Sequence, residues 1–194
     1  MCIRDRPYED HSLYNTIVAL YTGREMSMIH ILSPQMQRDL LTNVQEGDSQ
    51  PNAVDLRVDK MFRLKDKTFV ITDQEKTHRG SDEIAPDKNN MFCLEPGVYE
   101  IIMENIVTIP EGYAGWVITR STLNRNGCHI TSGLYDSGYN GVMAGLLHVA
   151  HGPAAIEKGA RVGQFLMFEA ETLSMYDGDY GVGTDHDTKY TGEF

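Results

Sequence analysis

No apolar run in these 194 residues approaches the roughly 20 positions that a membrane-spanning helix needs, and the early patch TIVALY is too short for a signal-peptide core. Membrane insertion is not expected. Cysteine is scarce: Cys2, Cys93 and Cys128 stand far apart without paired spacing, which suggests neither a disulfide framework nor a zinc site. A reducing, cytoplasmic setting fits best. Runs of Lys and Arg are also missing. Seventeen basic against 28 acidic residues give a formal charge of -11, which argues against broad binding to nucleic acid polymers or anionic membranes. Any phosphate site must be local. The seven prolines are scattered, and 41% apolar with 23% charged residues is the composition of one ordinary globular domain.

What is present falls into three stretches. Residues 1–25 match nothing later in the chain and read as an extension foreign to the domain, with Met26 or Met28 a natural start. The segment that follows predicts one short helix: Ser33 as N-cap, Pro34 at the first helical position, apolar Met36, Leu40 and Leu41, and Gly47 as the stop. From Asn52 onward short runs rich in Val, Ile, Phe and Tyr alternate with Gly, Pro, Asn and Asp. This predicts a mainly β fold, a barrel or jelly roll, over 26–175. Residues 73–90 are polar and read as a surface loop. The end, 176–194, holds four glycines and almost no aliphatics, so it is expected to be a flexible tail unless something orders it.

The chemistry concentrates in RSTLNRNGCHITSGLYDSGYNG, residues 120–141. Arg120 and Arg125 carry permanent charge, and Ser121 and Thr122 add hydroxyl donors beside a turn, a set able to hold several phosphate oxygens. Arg-Ser-Thr is equally a helix cap with two solvated arginines. Asp136 follows an apolar strand and opens the SGYNG turn, where a carboxylate could orient and deprotonate water; an aspartate there is also an ordinary turn-former.

Four stretches, QPNAVDLRV (50–58), TRSTLNRNG (119–127), GLYDSGYNG (133–141) and ARVGQFLMF (160–168), stand in the order and approximate spacing of the motifs of the trimeric dUTPase and dCTP deaminase superfamily. The chain resembles that superfamily over about 28–194. The leading part, CLEPG and the tail KYTGE are similar to the deaminase branch. That branch, however, uses a glutamate on the strand after the Asp turn to shuttle protons to cytosine, and the matching position is Leu146. No acidic side chain lies between Asp136 and Glu157, and His148 or His151 would be the substitutes on offer.

The resemblance to dUTPase implies another assignment. Asp136 would activate the water that attacks the α-phosphate, and Tyr139 would pack on the deoxyribose and leave no room for a 2′-hydroxyl. Backbone groups near Ile130 and Thr131 would read uracil. Arg120, Ser121, Thr122, Arg125 and Gln164 would contact phosphates, and Tyr176, Lys189 and Tyr190 would close over the nucleotide from the tail. Asp55 matches the first motif's acid and is expected to be structural. Mg2+ is implied, held mainly by the triphosphate whose charge it offsets. The expected protein is a homotrimer with sites between subunits, converting dUTP to dUMP and diphosphate. A dCTP deaminase and a non-catalytic nucleotide-binding regulator of the same fold remain as alternatives.

Overall fold

The structure is a computed structural model, and it describes residues 28–29 and 39–191. The extension 1–25 and most of the predicted helix lie outside those residues. Asp39 and Leu40 are helical, Leu41 is already bridged to Val107, and Gly47 follows in a turn with φ of +83°. No helix among the described residues is long and apolar enough to cross a membrane.

Among the described residues, nine strands form one curled antiparallel sheet. In chain order they are β1 (Met28–Ile29), β2 (Val54–Leu64), β5 (Ser81–Glu83), β7 (Gly97–Thr108), β8 (Tyr113–Thr119), β9 (Cys128–Thr131), β10 (Leu134–Tyr135), β11 (Asn140–Val149) and β13 (Arg161–Glu169). The path runs β10-β8-β13-β2-β7-β11-β9, with β1 paired to β13 and β5 to β2. Two two-stranded sheets stand apart: β6 (Met91–Leu94) with β12 (Ala154–Glu157), and the hairpin of β3 (Val70–Ile71) with β4 (Lys76–Thr77). Helices are brief: α1 (Ser121–Arg125) follows β8, and α2 (Thr188–Thr191) lies near the end. The mainly β expectation therefore holds. The stretch 73–90 is exposed for most of its length, but it carries β4 and β5 and is not structureless.

Alternation along the strands sorts side chains to two faces of the sheet. On β7 the residues Tyr99, Ile101 and Met103 enter the main core with Leu56, Val58, Phe165 and Met143. The intervening Ile102 joins a second, smaller cluster with Phe62, Val142 and Tyr190 on the outer face. Tyr190 comes from α2, so the chain's last described turn packs on the outside of the sheet. Burying about 150–250 Å² of aromatic surface there contributes about 4–6 kcal/mol toward the cost of ordering this turn.

Candidate active site

A cavity of about 690 Å³ opens on this outer face. Its floor is a row of residues held in cross-strand register: Thr131 on β9, Leu146 on β11 and Glu100 on β7. Directly opposed residues of antiparallel strands share a face, so all three side chains project into the same space. The segment 132–135 and Tyr139 form one wall, and the chain from Tyr176 to Tyr190 forms the other.

The turn carrying Asp136 is fixed from several sides. Asp136 leaves β10 with its side chain exposed, beside the lining residue Tyr135. Its carbonyl accepts from the Tyr139 amide at 3.0 Å, and Gly138 supplies the φ of +89° that the third position of such a turn requires. Ser137 is buried and donates to the Tyr113 carbonyl at 2.5 Å, also bonding the Thr172 hydroxyl at 2.7 Å. Tyr139 is buried as well. Its hydroxyl donates to the Val142 carbonyl at 2.8 Å, and its ring meets Tyr135 and Tyr176 at centroid distances of 5.2 and 5.4 Å. Burial pushes the Tyr139 phenol far above its ordinary range. The carboxylate thus stands free on a turn whose every neighbour is anchored.

Tyr135 solves a local problem in the same wall. The register of β11 slips between Val142 and Ala144, and β9 pairs only with Leu146 to Val149. The Tyr135 hydroxyl donates to the Ala144 carbonyl at 2.8 Å and accepts from the Ala144 amide at 3.0 Å, standing in for a strand. Burial pushes this phenol up to about 12, so it stays neutral and serves both ways.

The cationic motif lies elsewhere. Asp55 is fully buried: it accepts from Arg161 Nη1 at 3.3 Å and Gln164 Nε2 at 3.0 Å and is ion-paired with Arg120 Nε at 3.3 Å. Arg120 also donates to the Arg161 carbonyl at 3.2 Å. The structural expectation for Asp55 is met, and Gln164 serves it through its amide. The residues after Arg120 form α1, a helix rather than a bare turn, with Ser121, Thr122 and Arg125 exposed. Ile130 is buried in the main core while its neighbour Thr131 lines the cavity.

Within one chain the two halves do not meet. Tyr135 pairs with Gly115, so Asp136 lies beside the start of β8, and Arg120 follows its far end. At about 3.3 Å per residue the separation along the strand is about 20 Å. Thr131, Tyr139, Tyr176 and Tyr190 gather at the cavity, whereas Arg120 and Gln164 gather around Asp55.

The cavity also holds a carboxylate that a scan of 136–157 does not find. Glu100 stands directly opposite Leu146 on β7. Its oxygens accept from Lys189 Nζ at 3.1 and 3.2 Å, from Ser81 Oγ at 2.8 Å and from the Tyr190 hydroxyl. Burial alone would raise the Glu100 carboxyl; the bonds from Tyr190, Ser81 and Lys189 outweigh it and hold the group below its ordinary value. Sequence offered one clue, a charged residue inside the apolar run VYEIIM. The polar ends of Lys189 and Tyr190 are thus directed to Glu100. The two histidines considered as proton carriers are placed otherwise: His148 stacks on His129 at 4.4 Å, and His151 is exposed.

Comparison with known proteins agrees with this architecture. The probable deoxyuridine 5'-triphosphate nucleotidohydrolase of Halobacterium salinarum is 34% identical over 148 residues, 73% of this chain and 88% of its own length. The dUMP-forming dCTP deaminase of a Parafrankia species is 34% identical over 133 residues, 66% of each chain. The crystal structure of the 2'-deoxycytidine 5'-triphosphate deaminase from Agrobacterium tumefaciens superposes with a TM-score of 0.59 at 16% identity. It is matched over 76% of this chain and half of its own, a likeness of fold. The family model described as dCTP deaminase-like matches residues 30–170, from the segment before the first motif to the end of β13, and the chain belongs to that family.

Proposed function

We propose that this protein hydrolyses dUTP to dUMP and diphosphate, in the cytoplasm. One observation carries the reading. Asp136 is an exposed carboxylate on an over-determined turn between the cavity-lining Tyr135 and Tyr139, and no unengaged carboxylate stands at the Leu146 row. In this reading Asp136 orients a water and takes its proton as the oxygen attacks the α-phosphorus; the bond to the bridging oxygen breaks and diphosphate leaves. Tyr139 presents a ring edge-locked by Tyr135 and Tyr176 against the sugar. Main chain near Ile130 and Thr131 reads the base.

The charge of the phosphates must be met by Arg120, Ser121, Thr122, Arg125 and Gln164, about 20 Å away in the same chain by strand geometry. A neighbouring copy supplies them, and the assembly proposed is a homotrimer, as the superfamily resemblance implies. Among the described residues no three His, Cys, Asp or Glu side chains converge as metal ligands. A magnesium ion would arrive on the phosphate oxygens and offset their charge there.

Deamination of dCTP is the second reading, because Glu100 faces Leu146 across the sheet. A carboxylate has about four lone-pair sites, and Glu100 already accepts four contacts, two of them from Lys189, which leaves no site to receive a proton from water. Incubation with dUTP and with dCTP, following diphosphate and ammonia separately, tests the choice. Diphosphate from dUTP is expected, and ammonia from dCTP would replace the reading. Asp136→Asn should cut turnover by about 10²–10⁴-fold with nucleotide binding retained. Binding without turnover in the unmodified protein would identify a regulator.

A further inference from the structure

We propose that Glu100 is a positioning residue: it latches the C-terminal segment over the cavity by gathering Lys189 and Tyr190 onto one carboxylate. The inference rests on the hydrolytic reading for its effect on turnover, but not for the latch itself.

The segment crosses the outer face with few main-chain ties. Tyr176 donates its amide to Ser137 and Val182 to Asn140, at 2.7 and 2.8 Å. Past Val182 its contact with the sheet depends on side chains. Tyr190 sets its ring edge-on to Phe62 at 5.8 Å, and its carbonyl accepts from Lys60 Nζ at 2.5 Å. Its hydroxyl and the Lys189 ammonium both end on Glu100, whose far oxygen is tied to Ser81 of β5. Glu100 therefore joins the tail to two strands at once. A charge-assisted bond is roughly twice as strong as a neutral one, and a half-buried carboxylate stripped of donors would be costly, so undocking the tail strands Glu100 beside Leu146.

A positioning role and a chemical one separate kinetically. If Glu100 only sets the docked fraction, its loss weakens apparent affinity by that fraction, and saturating nucleotide draws the tail back. Hydrogen exchange of residues 180–190 without nucleotide should run about ten- to hundredfold faster in Glu100→Ala than in the unmodified protein. The KM for dUTP should rise about tenfold with kcat nearly kept. Lys189→Met, which lies on the exposed face of α2 and leaves the sheet untouched, should move exchange and KM the same way and decides the matter if Glu100→Ala fails to fold. Unchanged exchange in both variants overturns the latch. So does a fall in kcat at saturation with exchange unaltered, which would mean that Glu100 acts on the reacting atoms. If the unmodified protein releases no diphosphate from dUTP, the hydrolytic reading fails while the exchange measurement still decides the latch.

Discussion

Gly141→Ala isolates the close packing of the tail against Tyr139. A Cβ added at Gly141 would stand 2.4 Å from the Tyr139 hydroxyl oxygen, 2.7 Å from its Cζ and 2.8 Å from the Gly181 Cα. Neither neighbour can yield cheaply. The Tyr139 hydroxyl is bonded to Val142 and its ring is held between Tyr135 and Tyr176, while Gly181 is backbone whose successor, Val182, is tied to Asn140. Overpacking of a fixed site costs about 1–3 kcal/mol, so the melting temperature of a chain this size should fall by about 2–12 °C. Gly97→Ala is the reference on the neighbouring strand: its added Cβ meets nothing closer than 3.6 Å, so it should be neutral or slightly stabilising. Urea or thermal melts of both variants, with dUTP turnover measured where each is folded, supply the comparison. Gly141→Ala should lose affinity for dUTP even at temperatures where it is folded, because Tyr139 and the tail are displaced together. Indistinguishable melts for the two variants would refute the claim that clearance at Gly141 fixes Tyr139.

Complementation checks the site between copies: Asp136→Asn and Arg120→Ala, each inactive alone, should recover about a quarter of full activity when unfolded together and reassembled at random, whereas a site within one chain recovers none. Asp55→Asn should destabilise the fold by about 1–3 kcal/mol in a urea melt, less than the full cost of breaking a buried pair because Arg120 and Arg161 reach solvent; a melt unchanged within error would deny Asp55 its structural role. Docking of the tail should depend on pH through Glu100, which faces Ser81, Lys189 and Tyr190 with Asp187 near the last. Its carboxyl is depressed in the docked state, so the stabilisation is complete above the ordinary glutamate range near 4 and is lost as pH falls through the lowered value. Exchange of residues 180–190 that is as slow at pH 3 as at pH 6, after correction for intrinsic rates, would contradict this.

Much of the fold was legible because its strands are written in Val, Ile and Phe with period two, and because Gly and Asn mark the turns between them. Val54–Leu64 and Gly97–Thr108 announce themselves in this way. The Asp136 turn was equally readable, since Gly138 and its neighbours specify it locally. Pairing over long range was not. Glu100 meets Leu146 only because β7 and β11 align, and nothing within either strand encodes that register. Likewise the tail reads as unstructured by composition, yet Tyr190 finds Phe62 and Glu100 far back in the chain. The short helix α1 was missed as an element because Ser121–Arg125 is too brief to show a helical period.

The paired hydrogen bonds between Tyr135 and Ala144 bear on molecular recognition. A pyrimidine is read through its edge by amides and carbonyls, and at Ala144 both are already engaged by a phenol that stays un-ionised through neutral pH. A ligand that enters this cavity therefore meets the Ala144 peptide group already engaged.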